Sequence, residues 1–234
     1  MDFSFSDFHM HSFLSDGIML PVELIRFAVA SGRQVVAVTD HVSASTLERV
    51  IREIKADTVL AEKYWGVTAI AGVELTNVPA GAVAPLAAKA RELGAELVVV
   101  HGETLVEPVE PGTNLAAVSC PDVDLLAHPG LITLEEARLA KENGVCLEIS
   151  LRRGHAFTNG HVASMARKAE AKILLNSDAH DPDDLFRQEL AMKVGRGAGL
   201  TTEEIAQISE TAREITGKIL ARRKAAGNDS GNNR

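Results

Sequence analysis

The chain has 234 residues, of which 46% are hydrophobic and only 4% aromatic, and its formal net charge is −8. This length suits one large domain, and apolar residues that are mostly Ala, Val, Leu and Ile are typical of strands buried under helices. The negative charge argues against a non-specific nucleic-acid-binding protein, which needs a basic face, so we expect no long nucleic acid as a partner.

The two cysteines and the N-terminal residues indicate the cellular compartment in which the protein is expected. Cys120 and Cys146 form no CxxC pair, and we expect both to be reduced core residues. The stretch MDFSFSDFHM has neither a basic segment nor an apolar core, so it does not resemble a secretory signal. No apolar run approaches the length of a membrane span. The sequence predicts a cytoplasmic protein without a membrane partner, and it leaves the oligomeric state unknown.

Short apolar runs alternate with helical patterns along almost the whole chain. The candidate strands, in chain order, are SFSDFHM, QVVAVTD, VTAIAGVEL, AELVVVHG, DVDLLAH, VCLEIS and KILLNSD. The candidate helices between and after them are PVELIRFAVASG, STLERVIREIKADTVLAEKYW, PLAAKARELG, LEEARLAKENG, HVASMARKAEA and TTEEIAQISETAREITGKILARRK. The segment VEPVEPGTNLAAVSC is the longest connection that we expect to be irregular.

Seven strands that alternate with helices predict an α/β fold with a parallel sheet. Periodicity alone does not decide between a closed barrel and an open sheet, although no Gly-rich dinucleotide or P-loop fingerprint follows any strand. We expect a single domain over residues 1–224 and a disordered tail over residues 225–234.

Residues that can bind metals collect where the predicted strands end. His9 and His11 lie two residues apart in the first strand, so their side chains share one face. The ends of the later strands supply His41, Glu74, His101, His128, Asp178 and His180. Active sites of α/β folds form at this carboxyl edge of the sheet.

Each of these residues also has an ordinary structural explanation. A lone histidine can cap a helix or satisfy a hydrogen bond in the core, and Asp16 can be the turn residue of SDG. Independent structural histidines, however, have no reason to share one edge of one sheet. Convergence of imidazoles and carboxylates is what a metal centre requires, so the joint pattern predicts a polynuclear metal site.

The motifs HMH, TDH, GVE, VHGE, AHPG and SDAH, with Asp16 after the first, occur in this order. Together they resemble the PHP family, named for polymerase and histidinol phosphatase, from about Phe8 to about His180. The resemblance implies a distorted (β/α)7 TIM-like barrel with its active site at the C-terminal ends of the strands. It also implies up to three divalent metal ions and hydrolysis of phosphate esters. Mixed nitrogen and oxygen ligands suit zinc, manganese or iron.

The resemblance assigns a ligand set to each ion. His9, His11, Glu74 and Asp178 would bind the first ion. Glu74 would bridge to a second ion that is also held by His101 and His128. The third would be held by Asp16, His41 and His180. The mechanistic hypothesis is that a hydroxide bridging two metal ions attacks phosphorus in line, with no side-chain nucleophile.

The segment LEISLRRGHAFTNGH, at the end of the sixth strand, supplies the candidate catalytic residues. Arg152 and Arg153 carry guanidinium groups that match phosphate oxygens, although either can equally be a solvated loop residue. His155 is a candidate donor of a proton to the leaving group. Glu148 lies inside the strand, either as a barrel-interior residue or as a carboxylate that orients a ligand.

Three functions are alternatives for a chain with these motifs. The leading one is a histidinol-phosphatase-like enzyme, a metal-dependent phosphoesterase that hydrolyses a small phosphate monoester. The second is a phosphodiesterase or 5′–3′ exonuclease acting on nucleotides or short oligonucleotides. The third is a non-enzymatic barrel subunit, which would predict a degraded ligand set and a basic surface, and this chain shows neither.

Overall fold

The structure is a computed structural model that describes residues 6–185 and 188–231, with side chains described up to residue 225. Within these ranges the strands are β1 (Ser6–Asp7), β2 (Val35–Val38), β3 (His41–Val42), β4 (Thr68–Leu75), β5 (Leu97–His101), β6 (Leu125–Ala127), β7 (Cys146–Ser150) and β8 (Ile173–Asn176). Seven of them lie inside the seven predicted strands. The short β3 was not predicted.

The helices are α1 (Pro21–Ala30), α2 (Leu47–Trp65), α3 (Val83–Glu92), α4 (Thr113–Val118), α5 (Leu134–Asn143), α6 (Asn159–Ala169), α7 (Gln188–Gly197) and α8 (Thr202–Gly231). The six predicted helices are all present. The prediction of an irregular connection over residues 106–120 was wrong in its second half, because residues 113–118 form α4. The helix α7 was not predicted either.

Helix ends follow the local sequence where suitable residues are present. At the start of α5 the Thr133 hydroxyl accepts the backbone N–H of Glu136, whose carboxylate accepts the N–H of Thr133 in return. Gly144 ends the helix with a φ of 72°, a left-handed conformation that glycine adopts without steric cost. These signals fix where β7 begins, two residues after Gly144.

All strand pairs are parallel, and the order is β1-β2-β4-β5-β6-β7-β8, with β3 paired to β4. The two outer strands of this order come together beyond their ends. The His11 N–H donates to the Ala179 carbonyl at 2.8 Å, and the Asp178 N–H donates to the His9 carbonyl at 2.9 Å. The sheet is therefore a nearly closed barrel of seven parallel strands, which confirms the distorted TIM-like barrel.

The residues that point into the barrel change from apolar to polar toward the carboxyl ends of the strands. Alternate residues share a face, so Val99 and His101 of β5 point the same way, as do Cys146 and Glu148 of β7. The apolar members form one buried cluster: Phe8, Ala37, Ile70, Leu97, Val99, Leu125, Ala127, Cys146 and Leu174. The polar residues form a layer above it at the carboxyl edge.

The last helix closes the opposite end of the barrel. Ala212, Ile215 and Ile219 of α8 belong to the same buried cluster. Arg223 donates to the Ala69 carbonyl at the start of β4 and pairs with Glu96, which precedes β5. The helix continues to Gly231, past the predicted boundary at residue 224, and the last three residues of the predicted tail lie outside the described residues. The division into a domain and a tail stays a prediction.

Among the helices in residues 6–185 and 188–231, none is both long and apolar enough to cross a membrane.

Candidate metal centre

The nine predicted ligands converge at the carboxyl edge of the barrel. Each lies at the end of a strand or in the connection that directly follows one: His9, His11, Asp16, His41, Glu74, His101, His128, Asp178 and His180. Seven of them are buried, His41 is partly buried, and Asp16 is 53% exposed in its side chain. Residues separated by up to 171 positions in sequence thus share one small volume.

The residues predicted to bind the first ion lie together. His9 Nε2 is 3.3 Å from Glu74 Oε1, and His11 Nε2 is 3.3 Å from Asp178 Oδ1. The crossed distances are 3.6 Å from His11 Nε2 to Glu74 and 3.8 Å from His9 Nε2 to Asp178. Ligand atoms about 2.0–2.2 Å from a common ion are separated by about 3 Å or slightly more, so these four side chains have suitable spacing.

The residues predicted to bind the third ion also lie together. Asp16 Oδ1 is 3.2 Å from His180 Nε2 and 3.5 Å from His41 Nε2, and His11 belongs to the same group. Asp16 reaches this position because the chain turns tightly after His11. A Cβ atom on Gly17 would lie 2.3 Å from the His11 carbonyl oxygen, so only glycine fits there.

The Asp40 side chain holds the turn that carries Asp16. Its carboxylate accepts the N–H and hydroxyl of Ser12 and the N–H and hydroxyl of Ser15, at 2.7–3.1 Å. Burial raises the pKa of Asp40. The TDH motif therefore supplies both a predicted ligand, His41, and the residue that fixes the loop opposite it.

Glu74 lies at the centre of the cluster. Its Oε1 is 3.3 Å from His101 Nδ1 and 3.7 Å from His128 Nε2. Glu74 belongs to two sets of side chains whose potential ligand atoms lie within 4.8 Å of one another: one with His41 and His101, and one with His9 and His128. Glu74 is thus placed to bridge ions, while the assignment of each histidine to a particular ion stays a prediction.

Glu148 is fully buried in the barrel interior and contacts residues at the ends of three other strands. Its Oε1 accepts from His9 Nδ1 at 2.9 Å and from Asn176 Nδ2 at 2.8 Å, and its Oε2 accepts the His128 N–H at 3.0 Å. A carboxylate on one ring nitrogen leaves the other nitrogen free to bind a metal. Glu148 therefore orients His9 Nε2 toward Glu74 and Asp178.

Unsatisfied atoms test whether this cluster suits metal ions. Buried polar atoms normally have hydrogen-bond partners. Most of the buried side-chain atoms that lack one among the described residues belong to the predicted ligands: His9 Nε2, both ring nitrogens of His11 and of His101, Glu74 Oε1, His128 Nδ1 and Asp178 Oδ2. Lone pairs and N–H groups that gather in one buried place without hydrogen-bond partners are the donor set that a metal centre requires. The residues fit divalent ions.

The ionisation of the cluster supports the same conclusion. Burial would raise the pKa of Glu74, but the imidazoles of His9 and His41 hold it well below its usual value. Burial lowers and the Glu74 carboxylate raises the pKa of His41, which reaches about 10. Burial raises the pKa of Asp178 to about 7. The carboxylates therefore attract cationic charge, which bound metal ions supply when they replace these protons.

Two of the predicted ligands have unusual backbone conformations. His128 has a φ of 26° and Asp178 a φ of 52°, in the left-handed region that side chains rarely adopt. Such strain is retained where the surrounding structure fixes the residue, which happens most often at functional sites.

A cavity of about 210 Å³ opens over the cluster. Only two of the three candidate catalytic residues line it. Arg152 and His155 line it, whereas Arg153 is exposed and is not among its lining residues. Arg152 donates to the Asp178 carbonyl at 3.2 Å and contacts His180 Nδ1. The His155 ring stacks on His128 with centroids 4.0 Å apart.

The sequence prediction missed several residues that line this cavity or contact its lining. Thr76 Oγ1 lies 2.6 Å from His41 Nδ1, and Thr104 Oγ1 lies 2.8 Å from His155 Nδ1. Glu107 also lines the cavity, from the connection between β5 and α4. Thr76 follows GVEL directly, so its position after a strand was a usable signal. Thr104 and Glu107 lie in an irregular segment, where no periodicity indicates which side chain faces inward.

Comparisons with known proteins agree with this arrangement. The PHP domain family matches residues 7–186, a range that includes all nine predicted ligands. The chain is 48% identical over 200 residues to an uncharacterized protein of Methanocaldococcus jannaschii, covering 85% of this chain and 92% of that protein. It is 28% identical over 243 residues to a protein of Thermoanaerobacter sp. (strain X514) that is named a probable phosphatase, covering 91% and 96%. The structure of a candidate histidinol phosphatase from Listeria monocytogenes has a similar fold, with a TM-score of 0.58 at 10% identity over 80% of this chain and 99% of that one.

Proposed function

The chain belongs to the PHP domain family of metal-dependent phosphoesterases, and we propose that it hydrolyses a small phosphate monoester of the histidinol-phosphate type. The observation that carries this proposal is the cluster of buried, unpartnered imidazole and carboxylate atoms beneath a small cavity. The barrel supplies these atoms from the ends of β1, β4, β5, β6 and β8, and the cavity gives a phosphoryl group access to them.

We propose that the cluster holds up to three divalent ions of zinc, manganese or iron. His9, His11, Glu74 and Asp178 would hold the first, Glu74, His101 and His128 the second, and Asp16, His41 and His180 the third. When bound, such ions lower the pKa of water and neutralise the charge on the phosphate oxygens. The chain itself orients the ligands: Glu148 accepts from His9 Nδ1, and Asp40 holds the turn that carries Asp16.

Arg152 is the residue that we propose for binding the substrate phosphoryl group. It lines the cavity, whereas the exposed Arg153 is not among the lining residues. Its guanidinium is held by the Asp178 carbonyl and by Asp184 at 3.8 Å, so its position is fixed before substrate binds. A guanidinium binds phosphate oxygens through paired N–H donors.

For His155 we propose a narrower role than the donation of a proton. Burial lowers its pKa to about 4, so its imidazole is neutral near pH 7 and does not carry the extra proton of a strong acid. When the Thr104 hydroxyl donates to Nδ1, the proton of the ring lies on Nε2. We propose that this N–H donates a hydrogen bond to the leaving oxygen of the ester.

The test is a comparison of a monoester with a diester on metal-reconstituted protein. Protein stripped with a chelator is loaded separately with zinc, manganese or iron, and the metal content is measured on the same sample. We expect p-nitrophenyl phosphate to be hydrolysed on the order of 10-fold or more faster than bis(p-nitrophenyl) phosphate, in kcat/KM. Histidinol phosphate and other phosphorylated metabolites are then compared as substrates.

Two results would overturn the proposal. Faster hydrolysis of the diester would show a phosphodiesterase that acts on nucleotides or short oligonucleotides. Protein that binds no metal and hydrolyses neither ester would show a non-enzymatic barrel. The Arg152→Lys variant tests the phosphoryl-binding role, and we expect its KM to rise, because lysine lacks the paired donors.

A further inference from the structure

The cavity over the metal centre contains one charged side chain whose role the proposed function leaves open. Besides the histidines, the charged residues of its lining are Asp16, Glu107, Arg152 and Asp178. Asp16 and Asp178 are predicted metal ligands, and Arg152 is proposed to bind the phosphoryl group. Glu107 belongs to none of the sets of potential metal ligands among the described residues.

The Glu107 side chain turns toward the cavity and away from the predicted ions. Its Oε2 lies 2.9 Å from His101 Nε2, and its Oε1 lies 3.6 Å from His155 Nε2. The other nitrogen of the His101 ring, Nδ1, faces Glu74 at 3.3 Å. Glu107 therefore lies on the opposite side of this ring from the ion that His101 and Glu74 would share.

The connection between β5 and α4 fixes the position of Glu107 through its other acidic residues. The Glu103 carboxylate accepts the N–H of Gly112 at 2.9 Å, and the Glu110 carboxylate accepts the N–H of Ala80 at 2.8 Å. A carboxylate that accepts backbone N–H groups in this way stabilises a turn. Glu107 makes no such bond to the backbone of the described residues, so its presence in the cavity needs another explanation.

The oxygens of Glu107 are available to a molecule that enters the cavity. His101 Nε2 has no hydrogen-bond partner, so its N–H direction is not aligned with the nearby Glu107 oxygen, and the contact with His155 is too long for a hydrogen bond. Within residues 6–185 and 188–225, no lysine or arginine lies close enough to form an ion pair with Glu107. The side chain is 42% exposed, so a ligand can reach it.

A carboxylate beside a phosphate site selects the charge of the rest of the substrate. An ionised carboxylate only accepts hydrogen bonds, and an ammonium group only donates them, through three N–H groups. Such charge-assisted bonds are stronger than bonds between neutral groups. A second anionic group on the substrate would instead be repelled by Glu107. The cavity of about 210 Å³ is small, so the ammonium has to lie close to the phosphoryl group, on a short alcohol.

We propose that Glu107 selects phosphate esters of short amino alcohols, by accepting the N–H groups of the ammonium on the leaving alcohol. This inference rests on the proposed phosphatase function and names the class of its substrate. The ammonium takes no part in the bond changes. Water cleaves the P–O bond, and the products are inorganic phosphate and the amino alcohol.

The test uses three monoesters of equal length that differ in the charge of the leaving alcohol. They are O-phosphoethanolamine, which carries an ammonium, 2-hydroxyethyl phosphate, which is neutral at that end, and phosphoglycolate, which carries a carboxylate. The metal-loaded protein is compared with Glu107→Gln and with Glu110→Gln, which makes the same change on the same connection but does not line the cavity. Glu107→Ala is a second variant at the same position. Metal content and thermal unfolding are measured for every sample.

We expect the unmodified protein to prefer O-phosphoethanolamine to 2-hydroxyethyl phosphate on the order of 10-fold or more in kcat/KM, and phosphoglycolate to be the poorest substrate. Glu107→Gln should lower kcat/KM for O-phosphoethanolamine on the order of 10- to 100-fold, chiefly through a higher KM, because the charge-assisted bond is lost. It should leave 2-hydroxyethyl phosphate almost unchanged and improve phosphoglycolate. Glu107→Ala should behave alike, and Glu110→Gln should retain the preference. Metal content should be the same in all the samples.

Three results would overturn the inference. The unmodified protein shows no preference for the ammonium ester, or Glu107→Gln affects all three esters equally or loses metal, or Glu110→Gln causes the same selective loss. Equal effects or loss of metal would mean that Glu107 acts on the metal centre and not on the leaving alcohol. Each of these results, in a protein that hydrolyses monoesters, leaves the proposed function intact. Failure of the unmodified, metal-loaded protein to hydrolyse any monoester would instead contradict the proposed function.

Discussion

Glu148 links the orientation of one histidine to the backbone of another. Its two oxygens accept from His9 Nδ1 and from the His128 N–H, while Asn176 donates to the first oxygen. All three partners are donors, so an ionised carboxylate satisfies them without competition. The residue at this position therefore has to present two acceptor oxygens, as a carboxylate does.

Replacing Glu148 by glutamine is expected to weaken metal binding on the order of 10- to 100-fold. The NH2 of the glutamine amide would face one of the donors that now bind the carboxylate. Two donors repel each other, so either the His9 ring turns or Asn176 is displaced. Metal affinity by calorimetry and kcat/KM with p-nitrophenyl phosphate measure the effect. Glu142→Gln, an exposed substitution of the same type on α5, is the control. Unchanged affinity in Glu148→Gln would show that Glu148 does not orient the ligands.

Cys146 gives a prediction at alkaline pH. Burial raises the pKa of its thiol from 9.0 to about 12. Below pH 9 the thiol is protonated in both the folded and the unfolded chain. Between about pH 9 and about pH 12 only the unfolded chain loses the proton, so the folded state loses stability as pH rises. We expect the free energy of unfolding to fall less in Cys146→Ala than in the unmodified protein between about pH 8 and about pH 10. Equal slopes in urea unfolding would contradict this.

The ligands were accessible to sequence reasoning because they follow strands. Glu74 lies near the end of the apolar strand β4, and Asp178 and His180 lie in the segment that follows β8, so their position on the barrel follows from the strand pattern. Glu107 had no such signal, because an irregular connection has no period that indicates which side chain faces inward. The adjacent Arg152 and Arg153 could not be separated either, since their orientation depends on the turn between β7 and α6.

At the scale of elements, the missed segments have physical explanations. A strand of two residues, β3, is too short to show alternation. The helix α7 contains Gly195 and Gly197, and glycine disfavours helices. Gly195 is buried there, however, and a Cβ atom at this position would lie 3.4 Å from a methyl of Leu175. Tertiary packing has overridden the local propensity, which a single sequence does not reveal.

The closing helix α8 offers a matched pair of substitutions. Ile219 is 1% exposed and packs under the barrel cluster, whereas the adjacent Leu220 is 37% exposed. We expect Ile219→Ala to lower the free energy of unfolding by about 2–5 kcal/mol, since it leaves a cavity. Leu220→Ala should lower it by less than about 1 kcal/mol. Chemical denaturation of both variants measures the difference, and equal effects would show that α8 does not close the barrel.

At the scale of the whole molecule, the chain is acidic, with a formal net charge of −8. Divalent ions bound as proposed at the carboxyl edge of the barrel would reverse the sign of the charge there. The closed barrel was not decidable from periodicity, because a closed barrel and an open parallel sheet have the same alternation of strands and helices. Closure depends on how β1 and β8 meet, which involves residues at opposite ends of the sequence.

That meeting of the first and last strands has a consequence for the metal-free protein. Beyond β1 and β8, the His11 N–H and the Asp178 N–H donate the backbone hydrogen bonds that join the two segments. The same two segments supply His9, His11, Asp178 and His180, so bound ions would cross-link the beginning of the barrel to its end. Metal binding should therefore slow amide hydrogen exchange at His11 and Asp178 much more than at Val99 in the middle of β5. Equal protection of all three amides with and without metal would show that the ions leave the barrel seam unaffected. If the difference is found, the metal centre also stabilises the closure of the barrel. Loss of metal would then begin local unfolding at the contact between the segments that follow β1 and β8.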